Sequence, residues 1–258
     1  MASRTRLSFS TQRTATPYAG REKRTKKVVN VSPSKRQMAV INWENVLVPM
    51  EWMAVHLGLG TAPAAIEAAV VRCRSSPDLL QSLAVIETRI MELLLETVRV
   101  VDGPVFIVSE YTTAYVELVS SLFFPQLTAA LRSSTQGVYV VGTPDTQLTS
   151  LEMKQWKVNL LHTAILEYLF TGINEDVATN LLARSSYGRI KVVALCASDA
   201  DAVATSGIHL IAPNAVIKHV RATGVKTGVT HSLHTPVSLD NFYVQLLHFL
   251  QFIRQNAN

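Results

Sequence analysis

Asn42 and Glu44 stand two residues apart where the apolar run Met38–Ile41 gives way to polar side chains. In open α/β sheets, ligands bind outside the carboxyl ends of the strands. A carboxamide and a carboxylate alternating at such an end mark the first place to look for a site. An ordinary strand-to-helix loop with polar capping residues accounts for the same pattern. Ser198-Asp199-Ala200-Asp201 offers a pair of acids, although acids at a helix start more often stabilise its N-terminus. His231 and His234 lie close together without Cys, Asp or Glu at ligand spacing, so a zinc site is not expected there. The remaining histidines (His56, His162, His209, His219, His248) are scattered, and Cys73 and Cys196 read as core thiols. The chain has no Gly-x-Gly-x-x-Gly, no Gly-x-x-x-x-Gly-Lys and no Gly-x-Ser-x-Gly.

The elements that must position these residues form an α/β pattern. Met38–Ile41 suits a strand buried on both faces. Met50–Leu59 and Ala62–Arg74 read as short helices. Pro77 starts a longer one, with Leu79, Leu83, Ile86, Ile90, Leu93 and Leu94 at three- and four-residue spacing. Asp102-Gly103-Pro104 ends it, and Val105–Val108 is a second buried strand closing at Ser109. Thr113–Phe124 and Leu127–Arg132 are helical. Val138–Val141 is a third strand, ending in Gly142-Thr143-Pro144-Asp145. Leu151–Phe170 is a long helix, Ile190–Cys196 a fourth strand and Asp199–Thr205 a short helix. Ile208–Ala212 and Val216–Val220 read as small strands, and Leu239–Arg254 as a closing amphipathic helix. Strands alternating with helices imply a parallel sheet covered on both faces. Residues 38–254 are therefore expected to form one doubly wound domain, with Asn42, Ser109 and Asp145 at strand ends on one rim. No stretch approaches the ~20 apolar residues that cross a bilayer; Leu118–Leu131 is too short and contains Pro125.

Charge divides the chain. Of 24 Lys/Arg and 19 Asp/Glu, ten and one fall in residues 1–36, giving +9; the other 222 residues carry 14 and 18, giving −4. Hydrophobic residues make up 48% and charged ones 17%, so residues 37–258 are expected to bury a substantial core while 1–36 form an extended basic arm. Three readings of the arm stand: a mitochondrial presequence, since no acid precedes Glu22; a solvated tail; or an anchor for an acidic surface, whether nucleic acid or protein. The anchor would use Arg4, Arg6, Arg13, Arg21, Lys23, Arg24, Lys26 and Lys27. Thr14-Ala15-Thr16-Pro17-Tyr18-Ala19-Gly20 suits extended packing between subunits, and the arm lacks the aromatic interleaving of base-stacking binders.

The order and spacing of several short motifs resemble the haloacid dehalogenase-like (HAD-like) superfamily, especially a set of protist HAD-like proteins. In those, the first strand ends Asp-Trp-Asp-Asp-Thr-Leu-Leu-Pro before a Trp-containing helix. Here the corresponding run is Asn42-Trp43-Glu44-Asn45-Val46-Leu47-Val48-Pro49, with Trp52 next in the helix. A strand ending in Thr or Ser, then a helix with Trp-Val-Glu running to Phe-Leu-Pro, is matched by Ser109, Tyr115-Val116-Glu117 and Phe123-Phe124-Pro125. Trp156-Lys157 matches a Trp-Lys pair, with Lys154 a second candidate. Cys196-Ala197-Ser198 with Asp201, or Ser198-Asp199, falls where the family has Gly-Asp-Ser ahead of an acid. Lys218, Pro236 and the final helix from Leu239 complete a resemblance covering roughly 38–254.

The resemblance implies an α/β, doubly wound Rossmann-like parallel sheet (HAD-like) with a small helical insertion, preceded by the arm. It also implies what is missing. The family's first Asp is the phosphoryl-accepting nucleophile, and Asn42, a neutral amide, stands there. That Asp also helps hold Mg²⁺, which needs anionic oxygens. Glu44 keeps the carboxyl of the general acid/base with one added methylene, and the glycine of the last motif is lost. Ser109 and Lys157 could still form a phosphate-sized polar pocket, or be a strand-end hydroxyl and a solvated helix residue. The expectation is a HAD-like fold without its catalysis: no catalytic residue, metal or cofactor, with Asn42, Glu44, Ser109, Lys157 and Asp201 as degenerate positions. Such a body would serve as a structural component of a large assembly. The first choice is a ciliary or axonemal microtubule-associated (inner) protein, in contact with tubulin and its neighbours. The alternatives are a component of a mitochondrial ribosome, which would bring RNA contacts, or of another mitochondrial complex, and a divergent Mg-dependent phosphohydrolase.

Overall fold

A computed structural model describes residues 36–132, 137–144, 148–170, 173–183, 190–222 and 238–257. The strands are β1 (Arg36–Asn42), β2 (Val105–Ser109), β3 (Val138–Gly142), β4 (Ile190–Cys196) and β5 (Val216–Arg221). They form one all-parallel sheet in the order β3-β2-β1-β4-β5. The three central strands are apolar on both faces, as strands with a layer on each side must be. The chain builds outward from β1 through β2 to β3, then crosses back to lay β4 against the other side of β1. The sheet therefore reverses its winding between β1 and β4, and ligand crevices open at that point above the strand carboxyl ends.

Alternation along the strands assigns the two faces. Ala39, Ile41, Ile107, Val193 and Leu195 join a core with α3 (Pro77–Val100) and α9 (Leu239–Asn256), through Ile86, Ile90, Leu93, Phe242, Leu246 and Phe249. The intervening residues face α6 (Ser150–Ala164) and the π-helical turn Ile165–Leu169 that continues it; Phe106, for instance, meets the edge of Tyr168. Helix starts are chemically marked. Ser76 caps α3 through the Leu79 N–H with Pro77 behind it, and Thr149 and Glu152 form a reciprocal capping box on α6. The buried carboxylate of Glu87 accepts the N–H groups of Gln126 (2.6 Å) and Leu127 (3.0 Å), so α3 caps α5 (Pro125–Arg132).

Between β1 and β2 lie α1 (Met50–Leu57), α2 (Pro63–Arg74) and α3. These helices share the main core, with Trp52, Met53, Leu57, Ile66 and Ala69 buried in it. α4 (Thr113–Phe123) and α5 come after β2, α7 (Glu175–Ala183) precedes β4, and α8 (Asp199–Ser206) comes after it.

The structure departs from the sequence expectation in a few places. Ile208–Ala212 is no strand: Gly207–Leu210 is a 3₁₀ turn. Ile208 and Ala212 are buried while His209 and Leu210 are exposed, a four-residue spacing that belongs to a helical turn rather than to alternation. α7 was not foreseen, since only Ala178 and Leu182 mark its inner face. The long helix ends at Ala164 and gives way to the π turn, and α1 stops at Leu57 with Gly58 left-handed at φ 66°. Arg36, counted with the arm, opens β1; its guanidinium covers the Phe170 ring and donates to the Leu169 carbonyl (3.0 Å). The rest of the arm, including Arg4, Arg6, Arg13, Arg21, Lys23, Arg24, Lys26 and Lys27, lies outside the described residues, as do Asp145, His231, His234 and Pro236. No helix among the described residues is long and apolar enough to cross a membrane.

Candidate functional site

The loop after β1 is held by its own backbone. Trp43 N–H bonds the Val108 carbonyl (2.8 Å), carrying the β1–β2 pairing one residue past the strand. Val48 N–H returns to the Trp43 carbonyl (2.9 Å) and Asn45 N–H to the Val48 carbonyl (2.8 Å). This tight return needs a left-handed residue, and Asn45 supplies it at φ 56°, a conformation Asn tolerates better than most side chains. The Asn45 side chain then accepts the Glu51 N–H (2.8 Å) at the head of α1, while Gln245 of α9 donates to its carbonyl (2.8 Å). Trp43, Val46, Leu47 and Val48 are fully buried beneath. Glu44 is thereby fixed above the end of β2.

There its Oε1 accepts the Ser109 hydroxyl and the Glu110 N–H (2.9 Å). Ser109 in turn accepts the Tyr111 N–H (3.0 Å). Glu44 Oε2 is buried with no hydrogen-bond partner, although the residue as a whole is only half-buried, so the carboxyl tip is its driest part. Burial pushes the Glu44 carboxyl up to about 7, outweighing the Ser109 hydrogen bond that favours the anion.

Next to this carboxyl is an ion-pair cluster. Lys157 projects from α6 and is only 4% exposed. Its ammonium pairs with Asp201 on α8 and with Glu110 (2.7 Å). Asp201, also 4% exposed, receives the Ala197 N–H (3.1 Å), the Ser198 N–H (2.8 Å) and the Ser198 hydroxyl (2.8 Å) on its other oxygen. Ser198 and Asp201 thus form the capping box of α8, and the neighbouring Asn42 amide favours the Asp201 anion. Burial opposes ionisation of Asp201, but the Lys157 charge and these hydrogen bonds prevail and hold it below its ordinary value. Desolvation acts to lower Lys157, but the Asp201 and Glu110 charges outweigh it and raise the ammonium on balance. Burial and the Asp201 charge push the Cys196 thiol up to about 12, so it remains protonated and unreactive.

The five positions singled out from sequence, Asn42, Glu44, Ser109, Lys157 and Asp201, meet on one rim at the switch point. Asn42 and Ser109 end neighbouring strands, paired through Asn42 and Val108. The choices left open resolve geometrically. Lys157 points in and is no solvated residue, whereas Lys154 is exposed. Asp201 points in, whereas Asp199 is 69% exposed and pairs outward with Arg221. Glu110 was missed. It stands directly after the strand-terminal Ser109, and an acid immediately past a strand end was the signal available. Gly142 allows β3 to end against the same loop, since a Cβ there would sit 2.3 Å from Thr113 N.

Mg²⁺ does not fit this rim. Asn42 is neutral, and both Asp201 oxygens are engaged by Lys157 and by N–H and O–H donors, so neither offers the anionic oxygens that a hard cation needs. Among the described residues there is no group of three His, Cys, Asp or Glu able to hold a metal ion. The chain matches no protein-family model, no curated protein and no solved structure.

Glu44 sets a pH dependence of stability. Its folded value of about 7 lies above its ordinary 4.5, so between these limits the folded state binds more protons than the unfolded one. The contribution is complete below about 4.5 and is lost as pH rises through about 7, amounting to at most ~3 kcal/mol. Glu44→Gln, which mimics the neutral acid, is expected to match wild type near pH 5 and exceed it by ~1–3 kcal/mol at pH 8 in urea unfolding. Equal pH slopes for the two proteins would refute the assignment.

Proposed function

We propose that the chain is a non-catalytic, HAD-like pseudo-phosphatase that serves as a structural component of a large assembly. The sheet order β3-β2-β1-β4-β5, with the degenerate motif positions gathered at the carboxyl ends, supports the HAD-like reading. The observation that carries the loss of catalysis is the environment of Asn42. The residue at the nucleophile position is a neutral amide beside Asp201, and Lys157, which would meet an anionic substrate, is neutralised by two carboxylates. The polar groups of the rim mostly satisfy one another. The helices between β1 and β2 are packed into the main core and do not stand apart as a moving lid.

The anchor in this reading is residues 1–36, at +9 against −4 for the body. The partner is an acidic protein surface, the wall of a ciliary microtubule and its tubulin subunits, with a mitochondrial ribosome as the alternative. Deleting 1–35, which spares Arg36 of β1, should leave a folded protein that no longer co-fractionates with axonemes. Full-length protein should be released progressively by salt, because exposed charges are screened beyond about 8 Å at physiological ionic strength. Co-fractionation of the truncated protein as tight as full length rejects the arm as anchor, and partition with mitochondrial ribosomes favours the alternative.

A second reading, a divergent Mg-dependent phosphohydrolase, draws on Glu44, whose carboxyl at about 7 is poised for proton transfer. Our reading expects no Mg²⁺-dependent turnover of generic phosphoesters, and none from Asn42→Asp, since Asp201 remains tied to Lys157. Wild-type turnover that disappears in Glu44→Gln would replace our reading with this one.

A further inference from the structure

Lys157 has two carboxylate partners of very different standing. Asp201 is buried, capped by the backbone of Ala197 and Ser198, and part of the start of α8. One such anion already neutralises a buried ammonium. Glu110 is surplus to that balance. Its side chain is 50% exposed and reaches Lys157 through Oε1, so the far end of the ion pair stands in water. Its backbone is anchored independently of the side chain: the N–H bonds Glu44, and the carbonyl accepts the Thr143 hydroxyl (3.0 Å). Rotation about the Glu110 side-chain bonds therefore exposes Lys157 without moving the loop. Half-exposed ion pairs are individually weak, so this contact is exchangeable whereas the Asp201 contact is not.

We infer that Glu110 is a built-in competitor, a tethered carboxylate occupying the position beside Lys157 that a small free carboxylate would otherwise take. The contact is autoinhibitory for ligand binding. A carboxylate fixed on the same chain acts at an effective concentration of at least ~1 mM, so a free one at similar concentration displaces it poorly. The site offers a free anion the ammonium that Asp201 already shares, and the space left by the side chain. The inference is independent of the assembly proposed above, because it concerns occupancy of Lys157 alone.

The test uses the full chain, sodium acetate as the probe and sodium chloride at matched ionic strength as the reference. Glu110→Ala removes the tethered carboxylate and keeps the Lys157–Asp201 pair; Glu110→Gln removes the charge but still fills the space. Acetate is expected to raise the melting temperature of Glu110→Ala saturably, by ~1–3 °C over chloride, and to leave wild type and Glu110→Gln unchanged. Acetate should also shift the backbone amide resonances of residues 109–111 in Glu110→Ala, a readout that does not depend on how stable the variant is. An equal response in wild type, or none beyond chloride in Glu110→Ala by either measurement, overturns the inference.

Discussion

The rim of this protein depends on one buried ion pair, Lys157 with Asp201. Each residue is 4% exposed, and stripping two charges of water costs several kcal/mol per ion unless every remaining lone pair and proton finds a partner. The surrounding structure meets that demand at Asp201. The Ala197 and Ser198 N–H groups and the Ser198 hydroxyl converge on Asp201, with the Asn42 amide beside it. In doing so they join the end of β4 to the start of α8 next to the end of β1, while Lys157 brings in α6. The pair therefore sits at the winding reversal, above the adjacent, hydrogen-bonded strands β1 and β4. Glu44 and Ser109 continue the same network to the end of β2.

That arrangement limits what the rim can do. A lysine already paired with a buried aspartate and with Glu110 presents little unbalanced charge to an incoming anion. What remains chemically open is small: the unpartnered Oε2 of Glu44, and whatever Glu110 uncovers when it leaves Lys157. The charge that could recruit a partner lies in the arm, well separated in sequence from most of the residues that form the rim.

Much of this was legible in the chain itself. Apolar runs bounded by Gly, Pro and polar clusters placed all five strands within about two residues, and the three central ones, buried on both faces, leave a continuous hydrophobic signature. Asn42, Glu44 and Ser109 were legible as polar side chains at or just past the ends of those runs. Harder cases share a physical cause. Ile208 and Ala212 are buried at helical spacing within a segment too short for a period to declare itself. α7 shows only Ala178 and Leu182 inward. Lys157 looked like a solvated residue because sequence gives its helix but not the aspartate that neutralises it, which lies 44 residues away on another helix. Glu110 escaped notice for the same reason: its importance arises from a contact with α6, not from its neighbours in the chain. The fate of Asp145 lies outside the described residues.

If the function proposed above holds, the Lys157–Asp201 cluster braces the fold and takes no part in catalysis. A double-mutant cycle on Lys157→Met and Asp201→Asn, read by urea unfolding at pH 7, tests it most directly. Each single substitution leaves a buried group without its partner and should cost about 3–5 kcal/mol, while the double variant should cost no more than either single. Two mild single effects, each below ~1 kcal/mol and adding independently, would show that the pair does not brace the fold and return it to the role of a functional site.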